Sequence, residues 1–232
     1  MVSKEQAVAL KRQKSDKFKN LQNKITNDLN VATEVVRKFD KEIIVSIFGS
    51  ARVKPEHQFY KDTYKIAFDL VAKGYAICTG GGPGLMEAAS KGAFEGCAVT
   101  NQVCGAKSLG LSIVLPHEQE SNPYLHENIV FANFAQRKIV FSTVSDAYII
   151  TPGGYGTLDE LFEVVTLVQC KVVPEKPICL YGREYWTKMI DFIRDSLLAE
   201  GMINPVDLSM LQIVDTPEEA VDFIHKQLKL GE

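Results

Sequence analysis

The chain has 232 residues, a formal net charge of −3, and 46% hydrophobic against 24% charged residues; this is the balance of an ordinary globule and excludes a disordered or fibrous chain, and the length allows one large domain or two small ones. The charge is unevenly placed: residues 1–41 carry ten Lys/Arg and five Asp/Glu, a net of +5, which leaves −8 for residues 42–232. So acidic a body argues against a dedicated nucleic-acid binder, which would spread positive charge over a folded face, and any small anionic ligand must be held by local donors.

Two further classes are excluded at this level. Five cysteines (Cys78, Cys97, Cys104, Cys170, Cys179), odd in number and without a C-x-x-C pair, indicate neither a disulfide framework nor a zinc knuckle, and they read as reduced thiols of a cytoplasmic protein. No apolar run reaches the roughly 18 residues a membrane span needs, and Met1 to Lys19 is too polar and acid-containing for a signal or transit peptide.

In chain order, residues 4–40 contain no Gly or Pro, and Phe18, Leu21, Ile25, Leu29, Ala32, Val36 and Phe39 recur at three- and four-residue steps. This spacing predicts one amphipathic helix, an arm over 1–41 ahead of a domain over 42–232. Its stripe either packs on its own domain or serves as a subunit clasp or partner site; deletion of residues 1–40 separates these. From Ile43 the texture changes to short apolar runs closed by Gly or Pro: Ile43 to Phe48, Tyr75 to Cys78, Leu111 to Leu115, Ala147 to Ile150, Pro177 to Leu180 and, more weakly, Leu211 to Val214. Helical stripes lie between them, one through Tyr60, Tyr64, Ala67, Phe68 and Val71, another through Leu158, Leu161, Phe162, Val165 and Val168. Alternating strands and helices predict βαβ units on a mostly parallel sheet. Nearly continuous apolar strands require cover on both faces. The expected fold is therefore α/β, a doubly wound, Rossmann-like three-layer domain, whose ligand lies beyond the carboxyl ends of the strands.

Three loops follow predicted strands and lead toward helices: Phe48-Gly49-Ser50-Ala51-Arg52, Thr79-Gly80-Gly81-Gly82-Pro83-Gly84-Leu85-Met86-Glu87, and Thr151-Pro152-Gly153-Gly154-Tyr155-Gly156-Thr157-Leu158-Asp159-Glu160. Free backbone N–H groups and a helix dipole make such places suited to phosphate, although each loop alone is equally readable as a tight strand-to-helix turn. Neither glycine-rich loop completes G-x-G-x-x-G, and no Walker lysine follows, so dinucleotide and nucleoside-triphosphate chemistry recede and a mononucleotide or sugar phosphate advances. Thr157-x-x-Glu160 reads as a capping box and equally as a carboxylate aimed at the helix mouth. Arg137 and Lys138, in the helical stretch Asn133 to Val144 with Phe134, Ile139 and Phe141 available for packing, are either a solvated edge or fixed positive charge for an anion; arginine's planar fork suits the second role. His57, His117, His126 and His225 show no metal-ligand spacing, and no G-x-S-x-G elbow anchors a hydrolase triad. Neither metal nor serine chemistry is expected.

The three loops together resemble the LONELY GUY family, phosphoribohydrolase-like Rossmann proteins often labelled lysine decarboxylase. Pro152 to Glu160 matches its P-G-G-x-G-T-x-x-E signature in full, and Gly80 to Glu87 and Phe48 to Arg52 look like its other two loops in their bacterial form. Gly110 to Pro116, Glu118-Gln119 and Asn122-Pro123-Tyr124 are also similar to bacterial members, so the resemblance covers about residues 42–182. It implies hydrolysis of the N-glycosidic bond of nucleoside 5'-monophosphates, with Glu160 and Arg137 as the catalytic pair and Gly153, Gly154, Gly156 and Thr157 on the phosphate. Gly49, Ser50, Arg52, Gly81, Gly82, Met86, Glu87 and Lys138 would line the substrate pocket. It also implies a homodimer and a nucleoside monophosphate as the small-molecule partner; no cofactor is expected. Phe134-Ala135-Gln136-Arg137-Lys138 keeps only the last two residues of the plant-type M-H-x-R-K, which makes a general purine or pyrimidine nucleotide the expected substrate class. Lysine decarboxylation does not fit, since nothing identifies a Schiff-base lysine with a pyridinium partner. The competing expectation is a carrier or sensor that binds a nucleotide or cofactor on the same fold without turnover, because fold alone does not fix function.

Overall fold

The apolar runs pair as a seven-stranded sheet, in a computed structural model that describes residues 4–99, 105–115 and 120–230, with the side chains of the first helix described from Ser15 onward. The elements are α1 (Lys4–Val36), β1 (Ile44–Phe48), α2 (Gln58–Ala72), β2 (Ala76–Thr79), α3 (Leu85–Val99), β3 (Ser108–Ile113), β4 (Glu127–Phe131), α4 (Phe134–Val144), β5 (Ala147–Ile150), α5 (Tyr155–Gln169), β6 (Ile178–Tyr181), α6 (Arg183–Phe192), α7 (Pro205–Ser209), β7 (Leu211–Val214) and α8 (Pro217–Leu230). All six strand pairings are parallel, in the order β4-β3-β2-β1-β5-β6-β7.

Successive strand residues point to opposite faces, and the core divides accordingly. Ile44, Phe48, Cys78, Tyr148, Ile150 and Leu180 pack with Phe141 of α4, Leu161 and Val164 of α5 and Trp186 of α6. Val45, Ile47, Ile77, Ile149 and Cys179 pack with Ile66 and Leu70 of α2, Ala89 and Ala93 of α3 and Ile224 of α8. This is the doubly wound three-layer arrangement that the runs predict. The chain winds outward from β1 in one direction, then returns and continues from β5 in the other, so a crevice opens between the carboxyl ends of β1 and β5.

Several boundaries differ from expectation. β3 begins at Ser108, three residues ahead of the predicted run, and β4 is a strand the apolar runs do not reveal. The reason is its place at the sheet edge: Glu127 and Asn128 open it and Val130 is exposed, so burial does not impose a continuous apolar run. The arm is helical, but its stripe is divided. Ala32 and Phe39 are buried with Leu29, Val35 and Val36 packed beside them, whereas Phe18 is 71% exposed and Leu21 39%. Lys38 pairs with Glu127 at 2.6 Å and the Ala132 N–H donates to the Asp28 carboxylate at 3.1 Å, which seats the end of α1 over β4. Phe134 and Ile139 of α4 are about half exposed rather than packed.

Cys78 and Cys179 are buried free thiols whose ionisation burial pushes up to about 12, so neither is a nucleophile, and Cys170 is free and exposed. Cys97 is disulfide-bonded, which corrects the expectation of five reduced thiols. No helix among the described residues is long and apolar enough to cross a membrane.

Candidate active site

The three loops are stitched together across the crevice. Thr151 donates to the Phe48 carbonyl through both its N–H and its hydroxyl at 2.8 Å, the Ser50 N–H donates to the Pro152 carbonyl at 3.1 Å, and the Leu85 N–H donates to the Ser50 carbonyl at 2.9 Å. Gly49 permits this crossing: a Cβ there would fall 2.1 Å from Thr151 Oγ1 and 2.8 Å from Leu85 Cβ.

Around the crossing opens a cavity of about 730 Å³. Its walls include Gly49, Ser50 and Arg52 from the first loop, Gly81, Gly82 and Met86 from the second, Gly153, Gly154, Gly156, Thr157 and Glu160 from the third, and Arg137 from α4. Two expected pocket residues do not line it. Glu87 accepts a hydrogen bond from Tyr60 Oη at 2.9 Å, between α2 and α3. Lys138 pairs with Asp159 at 2.9 Å and Glu163 at 2.6 Å. Both errors have one cause: consecutive helical residues are turned about 100° apart, so Met86 and Arg137 meet the cavity while their successors cannot. The lining also contains Ser112 and Ile113 at the end of β3, Ser121, Phe134 and Tyr185, none of which is among the expected pocket residues. Ser112 could have been found from its position at a strand end and within the Gly110 to Pro116 stretch; Tyr185 carried no signal.

Glu160 and Arg137 face each other at the centre. Arg137 Nη2 donates to Glu160 Oε1 at 2.8 Å, with side chains only 12% and 5% exposed. The guanidinium lies over the Phe134 and Phe141 rings, 5.2 and 5.6 Å from their centroids, and its buried Nε finds no hydrogen-bond partner among the described residues. Burial raises the Glu160 carboxyl above its ordinary value; Arg137 and Lys138 pull it down, and burial prevails. The capping-box reading fails here. Gly154 is the N-cap of α5 and Glu160 is its sixth residue, so the carboxylate lies nearly two turns in, on the face turned to α4.

The first amide of α5 to find an intrahelical acceptor is Leu158, which donates to the Gly154 carbonyl at 3.0 Å. The N–H groups of Tyr155, Gly156 and Thr157 are therefore the open donors of a helix start, where the aligned peptide dipoles add about half a positive charge. No acidic side chain occupies that first turn. A buried carboxylate–guanidinium pair beside a ready anion cradle can bind a phosphorylated ligand and stabilise positive charge on it.

The other candidates are accounted for elsewhere. His57 Nδ1 accepts from the Phe59 N–H at 3.1 Å at the start of α2, His225 bonds Tyr75 Oη at 2.7 Å, and His126 stacks on Phe94. His117, with Pro116, Glu118 and Gln119, lies outside the described residues, as does Cys104. Among the described residues no group of three or more His, Cys, Asp or Glu side chains is placed to hold a metal.

Residues 86–224 match the family model described as possible lysine decarboxylase. The cytokinin riboside 5'-monophosphate phosphoribohydrolase LOG1 of Arabidopsis thaliana is 33% identical over 207 residues, covering 85% of this chain and 90% of its own. The chain belongs to the LONELY GUY family. LOG3 of the same plant is 32% identical over 198 residues, covering 83% and 86%. Among solved structures, the molybdenum cofactor carrier protein of Chlamydomonas reinhardtii superposes with a TM-score of 0.58 at 17% identity, covering 81% of this chain and 99% of its own. The molybdenum cofactor binding protein of Rippkaea orientalis gives 0.54 at 21%, covering 81% and 98%. At these identities the two share the fold. At family level the activity is that of a nucleotide phosphoribohydrolase. The decarboxylase label finds no support at the site, since no lysine is among the described residues that line the cavity.

Proposed function

We propose that the chain hydrolyses the N-glycosidic bond of nucleoside 5'-monophosphates to free base and ribose 5-phosphate. The observation that carries this reading is the buried Arg137–Glu160 pair set beside the open N-terminus of α5. The phosphate sits on the N–H groups of Gly154, Gly156 and Thr157, which fixes the ribose and converts remote binding into alignment of the scissile bond. As the C1'–N bond breaks, its electron pair leaves with the base and the sugar gains oxocarbenium character, as in glycoside hydrolysis. The Glu160 carboxylate stabilises that charge and positions water; the water adds hydroxide to C1' and its proton goes to the base. Arg137 holds Glu160 in place and supports the charge developing on the departing group.

The test is chromatography of purified protein with a panel of common nucleoside monophosphates. Free base should appear from at least one, and Glu160→Gln should stop its release while nucleotide binding persists. Tight binding by the unaltered protein with no base released from any nucleotide would replace this reading with that of a carrier.

A further inference from the structure

We infer that Tyr185 is a positioning residue for the phosphate loop, acting through the Gly153 carbonyl; the inference rests on the placement of phosphate at the start of α5. Tyr185 stands in the first turn of α6 and lines the cavity, and its hydroxyl donates a hydrogen bond to the carbonyl oxygen of Gly153. The carbonyls on either side of Gly153 already have backbone partners, Pro152 with the Ser50 N–H and Gly154 with the Leu158 N–H. The Gly153 carbonyl is held from another element altogether, by a side chain.

That peptide most needs holding because it joins two glycines. A rotation about its flanking bonds meets no Cβ, and in a trans peptide the carbonyl and the following N–H point in opposite directions. A half-turn would exchange the Gly154 N–H for the Gly153 carbonyl on the side where the anion lies, replacing a donor by a repelling dipole. With the carbonyl tied to Tyr185, the orientation is set before the ligand arrives.

The tether is itself anchored. The Arg183 backbone N–H and Nε donate to the two carboxylate oxygens of Asp215 at 2.8 and 2.9 Å, which fixes the start of α6 to the segment after β7. Trp186, the next residue, is fully buried and donates through Nε1 to the Tyr181 carbonyl at 3.0 Å, and the Tyr185 ring meets it edge-on with centroids 4.9 Å apart. The hydroxyl therefore projects from an anchored base toward a dipeptide that has no Cβ to fix it.

The experiment compares the full chain with its Tyr185→Phe variant, using ribose 5-phosphate and ribose as calorimetric probes and a hydrolysed nucleoside monophosphate as substrate. Loss of one ordering hydrogen bond should weaken ribose 5-phosphate binding about tenfold and raise KM by a similar factor. kcat should stay within about threefold and the unfolding midpoint should not move. Ribose, which lacks the phosphate, should bind the two proteins alike. Equal ribose 5-phosphate affinity in both proteins overturns the inference, and so does a loss that falls on kcat alone or comes with a lowered midpoint. Wild-type protein that binds ribose 5-phosphate but releases no base defeats only the hydrolase reading, and the affinity comparison still decides the role of Tyr185. Wild-type protein indifferent to the phosphate defeats the loop placement and this inference with it.

Discussion

The second and third loops are both glycine-rich turns from a strand into a helix, yet their glycines do different work. In the second, Gly81 and Gly84 have φ near +70°, and a Cβ on Gly84 would fall 2.3 Å from the Ser50 carbonyl oxygen. The Gly81 and Gly82 carbonyls are taken by the N–H and side-chain amide of Asn122, at 2.9 and 3.0 Å. In the third, a Cβ on Gly154 or Gly156 would meet nothing within 4 Å. Gly84 in the second loop makes room for the protein's own backbone and Gly153 in the third for the Thr157 side chain, whereas Gly154 and Gly156 border open space. A glycine-rich motif thus has two physical readings, which only the surroundings of each missing side chain separate.

The largest effect expected follows from this contrast and concerns the carboxylate behind the open loop. Glu160→Gln should lower base release by roughly a thousandfold or more, the upper part of the range for a carboxylate acting on the reacting group, with nucleotide affinity within a few-fold of wild type. Next comes Gly84→Ala, which forces a side chain into left-handed backbone and against the first loop. Urea denaturation should register a loss of about 3 kcal/mol, and a loss under about 0.5 kcal/mol would dissolve the distinction between the loops. Gly156→Ala should do the reverse. Its stability should hold or rise by up to about 1 kcal/mol, since alanine is the better helix former, while calorimetry should find ribose 5-phosphate binding weakened about tenfold, or about 1.4 kcal/mol, because a methyl group now stands in the anion's approach.

The smallest effect is a pH dependence. Burial raises the Glu160 carboxyl in the folded chain, so the folded state binds this proton more tightly than the unfolded one. The contribution of Glu160 to stability is then fully present below the ordinary carboxylate value and declines as pH rises through the raised folded value. The stability of wild type relative to Glu160→Gln, from urea denaturation at several pH values, should fall over that window and level off above it. A difference that grows with pH would mean that pairing with Arg137 outweighs burial.

How much of this was legible beforehand varied by element. β1, β5 and β6 were readable because strands buried on both faces must be apolar at nearly every position, whereas β4, at the sheet edge, is free to begin with Glu127 and Asn128. The third loop was readable as glycines after a strand. Lys138 and Glu87 were misplaced because adjacency in sequence is not adjacency on a helix face. Thr157 and Glu160 had capping spacing, but α5 starts two residues before Thr157, at Tyr155. Tyr185 was out of reach: its partner Gly153 is 32 residues away and its own surroundings, Arg183-Glu184-Tyr185-Trp186, form no motif.

The sequence by itself determined the fold class, the strand-end position of the loops and, through the resemblance of three ordered motifs, the family. Apolar periodicity and turn glycine are local consequences of burial and backbone sterics, and they survive without coordinates. Only the tertiary structure gathers the open N–H groups at the start of α5 and the Arg137 guanidinium at the β1–β5 crevice of an otherwise acidic body. It also decided that Glu160 faces Arg137 and caps no helix, and that the stripe of the basic arm packs against the core from Leu29 onward. Each depends on which distant segments the winding of the sheet brings together, and neither composition nor spacing contains that distance.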